Sequence, residues 1–346
     1  MRVLVVGLGG IGQRHVRNLR ALFGPDVEIL GCDPRPQIAV LTDRLTVEEG
    51  SRLEEKYNIH RYPDFDSALA QKPNVVFVCN PSSLHVDTAL RAAQRGCHLF
   101  IEKPLSHTND HVEELVELVE KRNLVATVGY QLRFHPCLRR LHSLLGEGAV
   151  GRVLAVRAEV GEYLPEWHVY EDYRQMYASK RELGGGVILS QIHEMDYIYW
   201  LFGLPKRLYA LGGHLSSLEL DVEDVSSILM ECSVDGRMVP VHLHQDYVQR
   251  PPSRTCQIIG DEGKILVDIS SQSVTVFDRL GSLKETSTYA GFERNRLFLD
   301  ELINFFDRIQ GKPTPIVSLR DGAQSLRMAL AAKSSLQTGQ IITLNG

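Results

Sequence analysis

Several features are scarce in this chain. The six cysteines, at positions 32, 79, 97, 137, 232 and 256, include no CxxC pair, and most sit in apolar, strand-like runs. Without zinc-ligand spacing no metal is expected, and the thiols read as free and buried in a reducing compartment, the cytoplasm. A basic surplus is also missing. The formal net charge is −5 and there is no Arg-rich tail, so nucleic acid is not an expected partner. Long apolar runs are absent, which argues against a membrane span. The opening "MRVLVVGLGG" breaks at glycine within seven residues and has no cleavage site, so it does not read as a signal peptide.

What is present is globular. At 346 residues the chain is too long for one ordinary core, and two domains are expected. Residues 1–125 read as a dinucleotide-binding α/β domain. Residues 126–346 read as an α+β domain for substrate binding and oligomerisation.

The first domain begins with the buried strand "RVLVVG", the loop "GLGGIG" and the amphipathic helix "QRHVRNLRAL". Gly7, Gly9 and Gly12 have G-x-G-x-x-G spacing. The first permits the turn, the second lets backbone approach a pyrophosphate, and the third allows close helix packing. The N–H groups around Gly10 and Ile11 then face the phosphates. A second strand, "VEILGCD", ends at Asp33, placed to accept from the ribose hydroxyls. A carboxylate there favours NAD over NADP, although Arg35 could pair with a 2′-phosphate. Strands continue to alternate with helices, as a doubly wound parallel sheet requires. Ligands bind past the carboxyl ends of such strands. Asn80, Lys103 and Gln131 lie there, with Pro81, His85 and Glu102 beside them.

After Gly151 the pattern changes to runs of strands with Asp-Gly and Glu-Gly turns. This predicts a large, mainly antiparallel open sheet, followed by helices over "RNRLFLDELINFFDRIQG" and "SLRDGAQSLRMALAAKSSLQTG". A sheet with one uncovered face finds a partner, so a homodimer or homotetramer is expected. His242 and His244 share a side of one strand and read as part of a polar sheet face.

The stretches "GLGGIG", "NPSSLHVDTALRAAQRGCHLFIEKPLS", "GYQLRFHP" and "GGGVILSQIHEMDYIYWLFG" together resemble the Gfo/Idh/MocA oxidoreductases across nearly the whole chain. The segment "GEYLPEWHVYEDYRQMYASKRELGGG" looks like members acting on sugars for surface polysaccharides or on sugar nucleotides. The resemblance implies that Lys103 sits beside the nicotinamide and the reacting hydroxyl, with a strained, often cis, bond to Pro104. It implies that His193 is the general base, and that Gln131 and Arg133 lie near the cleft. Many members carry an aspartate where this chain has Ser190, so the usual Lys–Asp–His set is incomplete here.

A helix is expected from about Val187 to Leu201, with Ser190, His193 and Tyr197 on one face and Asp196 sharing that side. Glu194 is rotated away and reads as structural. Tyr163, His168, Tyr173 and Arg174, in a polar aromatic segment, are expected to grip a sugar or its phosphate. The implied activity is a reversible NAD(P)-dependent dehydrogenase acting on a secondary hydroxyl of a sugar, sugar nucleotide, sugar phosphate or cyclitol. Two readings stand beside it: an enzyme that uses tightly bound NAD for internal redox, as in an epimerase or a glycosidase-like reaction, and a non-catalytic sugar or cofactor sensor.

Overall fold

The computed structural model describes residues 1–344. Its first sheet has six parallel strands in the order Ile59–Tyr62, Glu28–Cys32, Arg2–Val6, Val75–Val78, His98–Glu102, Ala126–Gly129. The order reverses direction beside Arg2–Val6, and there the carboxyl ends open into a crevice. Four of the five residues of Arg2–Val6 and all four of Val75–Val78 are buried, because helices cover both faces of a parallel sheet.

The first sheet runs past the expected boundary at 125, since Ala126–Gly129 pairs with Leu99–Glu102. This last strand of the first sheet stops at Gly129. A 3₁₀ turn, Gln131–Phe134, and an α-helix, Pro136–Gly146, follow. That helix was not anticipated, although Cys137, Leu138, Leu141 and Leu144 have helical spacing and form its buried face. Pro136 occupies its first turn, and the His135 side chain accepts from the Cys137 N–H as the cap.

The second sheet has nine strands, in the order Leu283–Thr288, Ser273–Asp278, Gly263–Asp268, Ser253–Gly260, Val153–Gly161, Arg237–Asp246, Val225–Val234, Arg207–Gly213, Ile342–Thr343. All neighbours are antiparallel except Val153–Gly161 with Arg237–Asp246. Helices Pro136–Gly146, His193–Phe202 and Leu319–Thr338 pack on one face. The other face leaves Leu211, Leu229 and Met238 about half exposed.

Helix Asn295–Ile309 returns to the first sheet. Leu302, Phe305 and Phe306 join the core of Val3, Val5 and Phe77, and Phe305 meets the rings of Phe77 and Phe100 edge-on. The carboxyl-terminal half therefore completes the nucleotide-binding half. All six cysteines are free and buried. Among the described residues no helix is long and apolar enough to cross a membrane.

Candidate active site

The dinucleotide cradle is built by glycine. A Cβ on Gly7, whose φ is +91°, would lie 2.5 Å from the Cys79 carbonyl oxygen, and one on Gly12 would lie 1.9 Å from the Gly7 carbonyl oxygen. These contacts draw helix Gly10–Phe23 onto the strand ends. Gly9 caps that helix without a side-chain bond, and nothing lies within 4 Å of where its Cβ would be. The first-turn N–H groups at Gly10 and Ile11 follow this open position, the arrangement that receives a pyrophosphate, and the Tyr170 hydroxyl stands close to Gly10.

Asp33 accepts from the Leu8 N–H at 2.8 Å and from Arg35 Nε and Nη2 at 2.8 and 2.6 Å. Burial alone would raise its pKa. Arg35 and the Leu8 N–H outweigh that and hold the carboxyl below its usual value, so it is ionised. The buried amide oxygens Asn80 Oδ1 and Gln131 Oε1 have no protein partner. Unpaired acceptors at the ends of parallel strands fit a dinucleotide with donor groups. His85 lies with Nε2 2.8 Å from the Asn80 carbonyl and Nδ1 2.8 Å from the Pro104 carbonyl. It braces this edge from beneath. Pro81 caps the turn Ser82–Leu84, and Ser82 Oγ bonds the carbonyls of Leu183 and Gly184, joining the two halves.

Glu102 departs from expectation. Its side chain turns inward and meets His15 Nε2 at 2.7 Å, with both groups buried. It anchors the phosphate-binding helix to the strand that carries Lys103 and does not present itself to the cofactor.

The Lys103–Pro104 peptide is cis. Lys103 Nζ donates to the Ser190 carbonyl at 2.8 Å and reaches the Tyr177 hydroxyl at 3.5 Å. The single helix expected from Val187 is broken. Val187–Ser190 ends in a turn at Gln191, and a second helix runs His193–Phe202. The break is held by Gln191 Nε2 donating to the Asp246 carbonyl at 3.0 Å and Gln245 Nε2 donating to the Gln191 carbonyl at 2.7 Å. With the helical ladder interrupted, the Ser190 carbonyl is left to accept from Lys103.

His193 opens the second helix and is 5% exposed. Tyr130 meets its ring edge-on. Burial, then the charges of Lys103, Arg254 and Arg294, push its pKa well below the ordinary histidine value. The imidazole is neutral, and its Nδ1 is buried without a protein partner. The preceding glycines let the chain pass closely. Cβ atoms at Gly184 and Gly186, both at positive φ, would lie 2.2 Å from Ser82 Oγ and 2.3 Å from Glu223 Oε1.

The remaining helix residues point elsewhere. Glu194 pairs with Arg254 at 2.9 Å, the structural role expected of it. Asp196, expected beside His193, binds Arg133 through two bonds of 2.7 and 2.8 Å and accepts from Ser325. Arg133 is therefore a buried structural cation stacked over Trp200, not a free substrate ligand. Tyr197 is fully buried next to Cys256.

Three further residues expected to grip substrate are engaged with their own half of the chain. Arg250 covers the Tyr163 ring, the Tyr173 hydroxyl accepts from the Glu219 N–H, and Arg174 pairs with Asp172 and Glu219. Tyr177 at Lys103 and Tyr130 at His193 were not anticipated. A tyrosine, whether in the polar stretch around Tyr177 or after the apolar strand before Tyr130, carries no mark of its partner, so neither had a sequence signal.

The sequence profile of the Gfo/Idh/MocA oxidoreductase family, described as an NAD-binding Rossmann fold, matches residues 1–130. The carboxyl-terminal domain profile of the same family matches residues 138–266. The chain is 27% identical to myo-inositol 2-dehydrogenase of Thermotoga maritima, over 99% of this chain and 98% of that protein. It is 24% identical to D-glucoside 3-dehydrogenase of Escherichia coli, over 99% and 97%. The fold matches the WlbA dehydrogenase of Bordetella pertussis, solved with NADH and UDP-GlcNAcA, with a TM-score of 0.79 at 22% identity over 100% and 99% of the two chains. The chain belongs to the Gfo/Idh/MocA family and is an oxidoreductase with an NAD-binding Rossmann fold.

Proposed function

We propose that the protein is a dehydrogenase that oxidises a secondary hydroxyl of a sugar, sugar nucleotide, sugar phosphate or cyclitol, or reduces the corresponding ketone. The observation that carries this reading is the place of Lys103, which follows the strand end of the first sheet and is held on the Ser190 carbonyl, close enough to the buried His193 for its charge to act on that ring. The likeness to cyclitol and glucoside dehydrogenases along nearly the full chain supports the substrate class.

NAD, when bound, supplies the hydride acceptor for the oxidation. The neutral imidazole of His193 takes the hydroxyl proton, which an imidazolium could not do. The Lys103 ammonium has three N–H groups, and two already point to Ser190 and Tyr177. The third is left to donate to the reacting oxygen and stabilise its developing negative charge. In the reverse direction His193 returns the proton. Asn80 and Gln131 offer their unpaired amide oxygens to the dinucleotide, and Asp33 takes the ribose hydroxyls.

The organisation around the site follows the same reading. Residues 1–125, with the strand to Gly129 and helix Asn295–Ile309, hold the cofactor, and the rest of 126–346 holds the substrate. The bare face of the nine-stranded sheet pairs with a second copy to give a homodimer or homotetramer. Six buried free thiols support a cytoplasmic location.

The test is cofactor reduction, followed by absorbance. Purified protein is incubated with NAD or NADP and a panel of sugar nucleotides, sugar phosphates, free sugars and inositols. Turnover with one class, lost in both Lys103→Met and His193→Ala, is expected. Tight NAD binding with no reduction by any substrate would sink the dehydrogenase reading and favour internal redox.

A further inference from the structure

The segment from Tyr163 to Arg174 is fastened to the second half of the molecule at both ends and touches the first half in its middle. At one end the Arg250 guanidinium lies 3.3 Å from the Tyr163 ring centroid, and Trp167 meets Tyr247 edge-on. At the other end Arg174 pairs with Asp172 and Glu219, and the Glu219 N–H bonds the Tyr173 hydroxyl.

Between these anchors the chain crosses the cleft. His168 stacks on Tyr170 with ring centroids 5.2 Å apart, and His168 Nδ1 lies 2.6 Å from Glu171 Oε1. This small cluster fixes the direction of the Tyr170 phenol. Its hydroxyl comes to 3.0 Å from where a Cβ on Gly10 would stand. Gly10 is the first residue of the helix whose N–H groups face the pyrophosphate position. Tyr170 and Glu171 also lie near enough to Arg35 for their charges to act on it, and Arg35 is clamped on Asp33.

We infer that Tyr170 is a cofactor-binding residue supplied by the second half of the chain, and that residues 163–174 form a clasp over the dinucleotide. The phenolic O–H donates to the pyrophosphate at the Gly10 end of the helix. Glu171 draws the clasp toward Arg35 and so toward the ribose end of the site. The inference rests on the reading that NAD occupies the glycine loop. Burial, then Glu171, raise the Tyr170 pKa, so the group stays an O–H donor across the working pH range. A neutral donor suits this place, because the helix N–H groups and Arg35 already supply positive potential. The clasp would slow release of the dinucleotide without touching the reacting carbon.

The experiment measures binding, not turnover. NADH fluorescence gives the Kd, and stopped-flow displacement by excess NAD gives the release rate. ADP-ribose, which lacks nicotinamide, is bound by calorimetry as a probe of the pyrophosphate half. A hydrogen bond to a charged group contributes about 1.5–3 kcal/mol, so Tyr170→Phe should raise the NADH and ADP-ribose Kd values about tenfold or more. Release should quicken to match, and circular dichroism should be unchanged. Glu171→Gln should loosen NADH in the same direction by a smaller factor. Wild-type affinity and release rate in Tyr170→Phe, or tighter binding in Tyr170→Gly because the ring obstructs the site, would each overturn the clasp while leaving the cofactor reading intact. Failure of the wild-type protein to bind NADH at all would remove the cofactor reading and the clasp together.

Discussion

Lys103 Nζ donates a 2.8 Å hydrogen bond to the backbone carbonyl of Ser190. The donor stands at the end of a strand in the first sheet, and the acceptor closes a short helix in the second half of the chain. The bond exists because the helix breaks at Gln191, which leaves that carbonyl without a helical N–H. Two ordinary features, a strand end and a helix break, thus place the cation of the site beside the imidazole that begins the next helix.

The first prediction concerns pH. A base must be deprotonated to act, and burial with three nearby cations depresses the His193 pKa. Activity should therefore persist to lower pH than an ordinary histidine would allow, with the acid limb of kcat/KM lying below the usual histidine value. Ser190→Asp places a carboxylate one turn before the ring, which favours the imidazolium and should move that limb upward. A pH–rate profile checks both. An acid limb at the ordinary histidine value, or no movement in Ser190→Asp, would count against this account.

Removing the cation should affect chemistry more than binding. Lys103→Met takes away the donor aimed at the reacting oxygen, and the loss of one such preorganised donor is worth about 10²–10³ in kcat. NADH affinity should hold, since the glycine loop and Asp33 are untouched. An NADH Kd that rises in step with the loss of kcat would instead make Lys103 a binding residue.

Arg133 makes the opposite prediction. Its guanidinium is paired twice with Asp196 in a nearly dry setting. Arg133→Met leaves that carboxylate buried and unpaired, which costs about 3–5 kcal/mol of stability. The double variant Arg133→Met, Asp196→Leu should recover most of the lost Tm. Substrate KM should not rise in the refolded double variant. A raised KM with an unchanged Tm would restore Arg133 to the substrate site.

The contrast between Lys103 and Arg133 shows what could be read beforehand. Backbone features were legible. The glycine spacing, the alternation of strand and helix, and the acid closing the second strand all follow from local rules, and each places its residue. Lys103 and His193 stood out because they sit at element ends in recognisable stretches. The partners of Arg133, Tyr163 and Arg174 could not be seen in the same way. Arg133 and Tyr163 are engaged by groups far along the chain, Asp196 and Arg250, and Arg174 by the nearby Asp172 together with the distant Glu219. Helical spacing put Asp196 on the His193 side of the helix, but its carboxylate is taken by Arg133 and Ser325, which only the fold brings near. Glu102 stands at a strand end beside the expected cofactor residues, whereas its buried side chain is taken by His15, a partner 87 residues away.

The bare sheet face carries an oligomerisation prediction. Tyr209, Leu229 and His242 lie in register across three neighbouring strands, and Leu229 is 54% exposed. Leu211 and Met238 extend the apolar surface. Leu229→Glu puts a charge into an interface that must exclude it, and should convert the oligomer to monomer in sedimentation or light scattering. A wild-type protein that is already monomeric, or a variant of unchanged mass, would place the interface elsewhere or remove it.

Cofactor choice turns on Asp33 and Arg35. The ionised Asp33 carboxylate would repel a 2′-phosphate and accept from the ribose hydroxyls, so NAD should be preferred. Arg35 is the cation that a 2′-phosphate would need, but it is spent on Asp33 through two short bonds. Asp33→Ser removes the repulsion and the ribose acceptor, and it frees the guanidinium. Losing a hydrogen bond to a charged group costs about 1.5–3 kcal/mol, so the ratio of NAD to NADP specificity should fall by about tenfold or more. Arg35→Ala in the Asp33→Ser background should then weaken NADP and leave NAD nearly unchanged, because only the phosphate uses the cation. Parallel kcat/KM measurements with the two cofactors decide it. If the ratio stays fixed in Asp33→Ser, the carboxylate is not what selects the cofactor, and its bonds to Leu8 and Arg35 serve only to hold the loop.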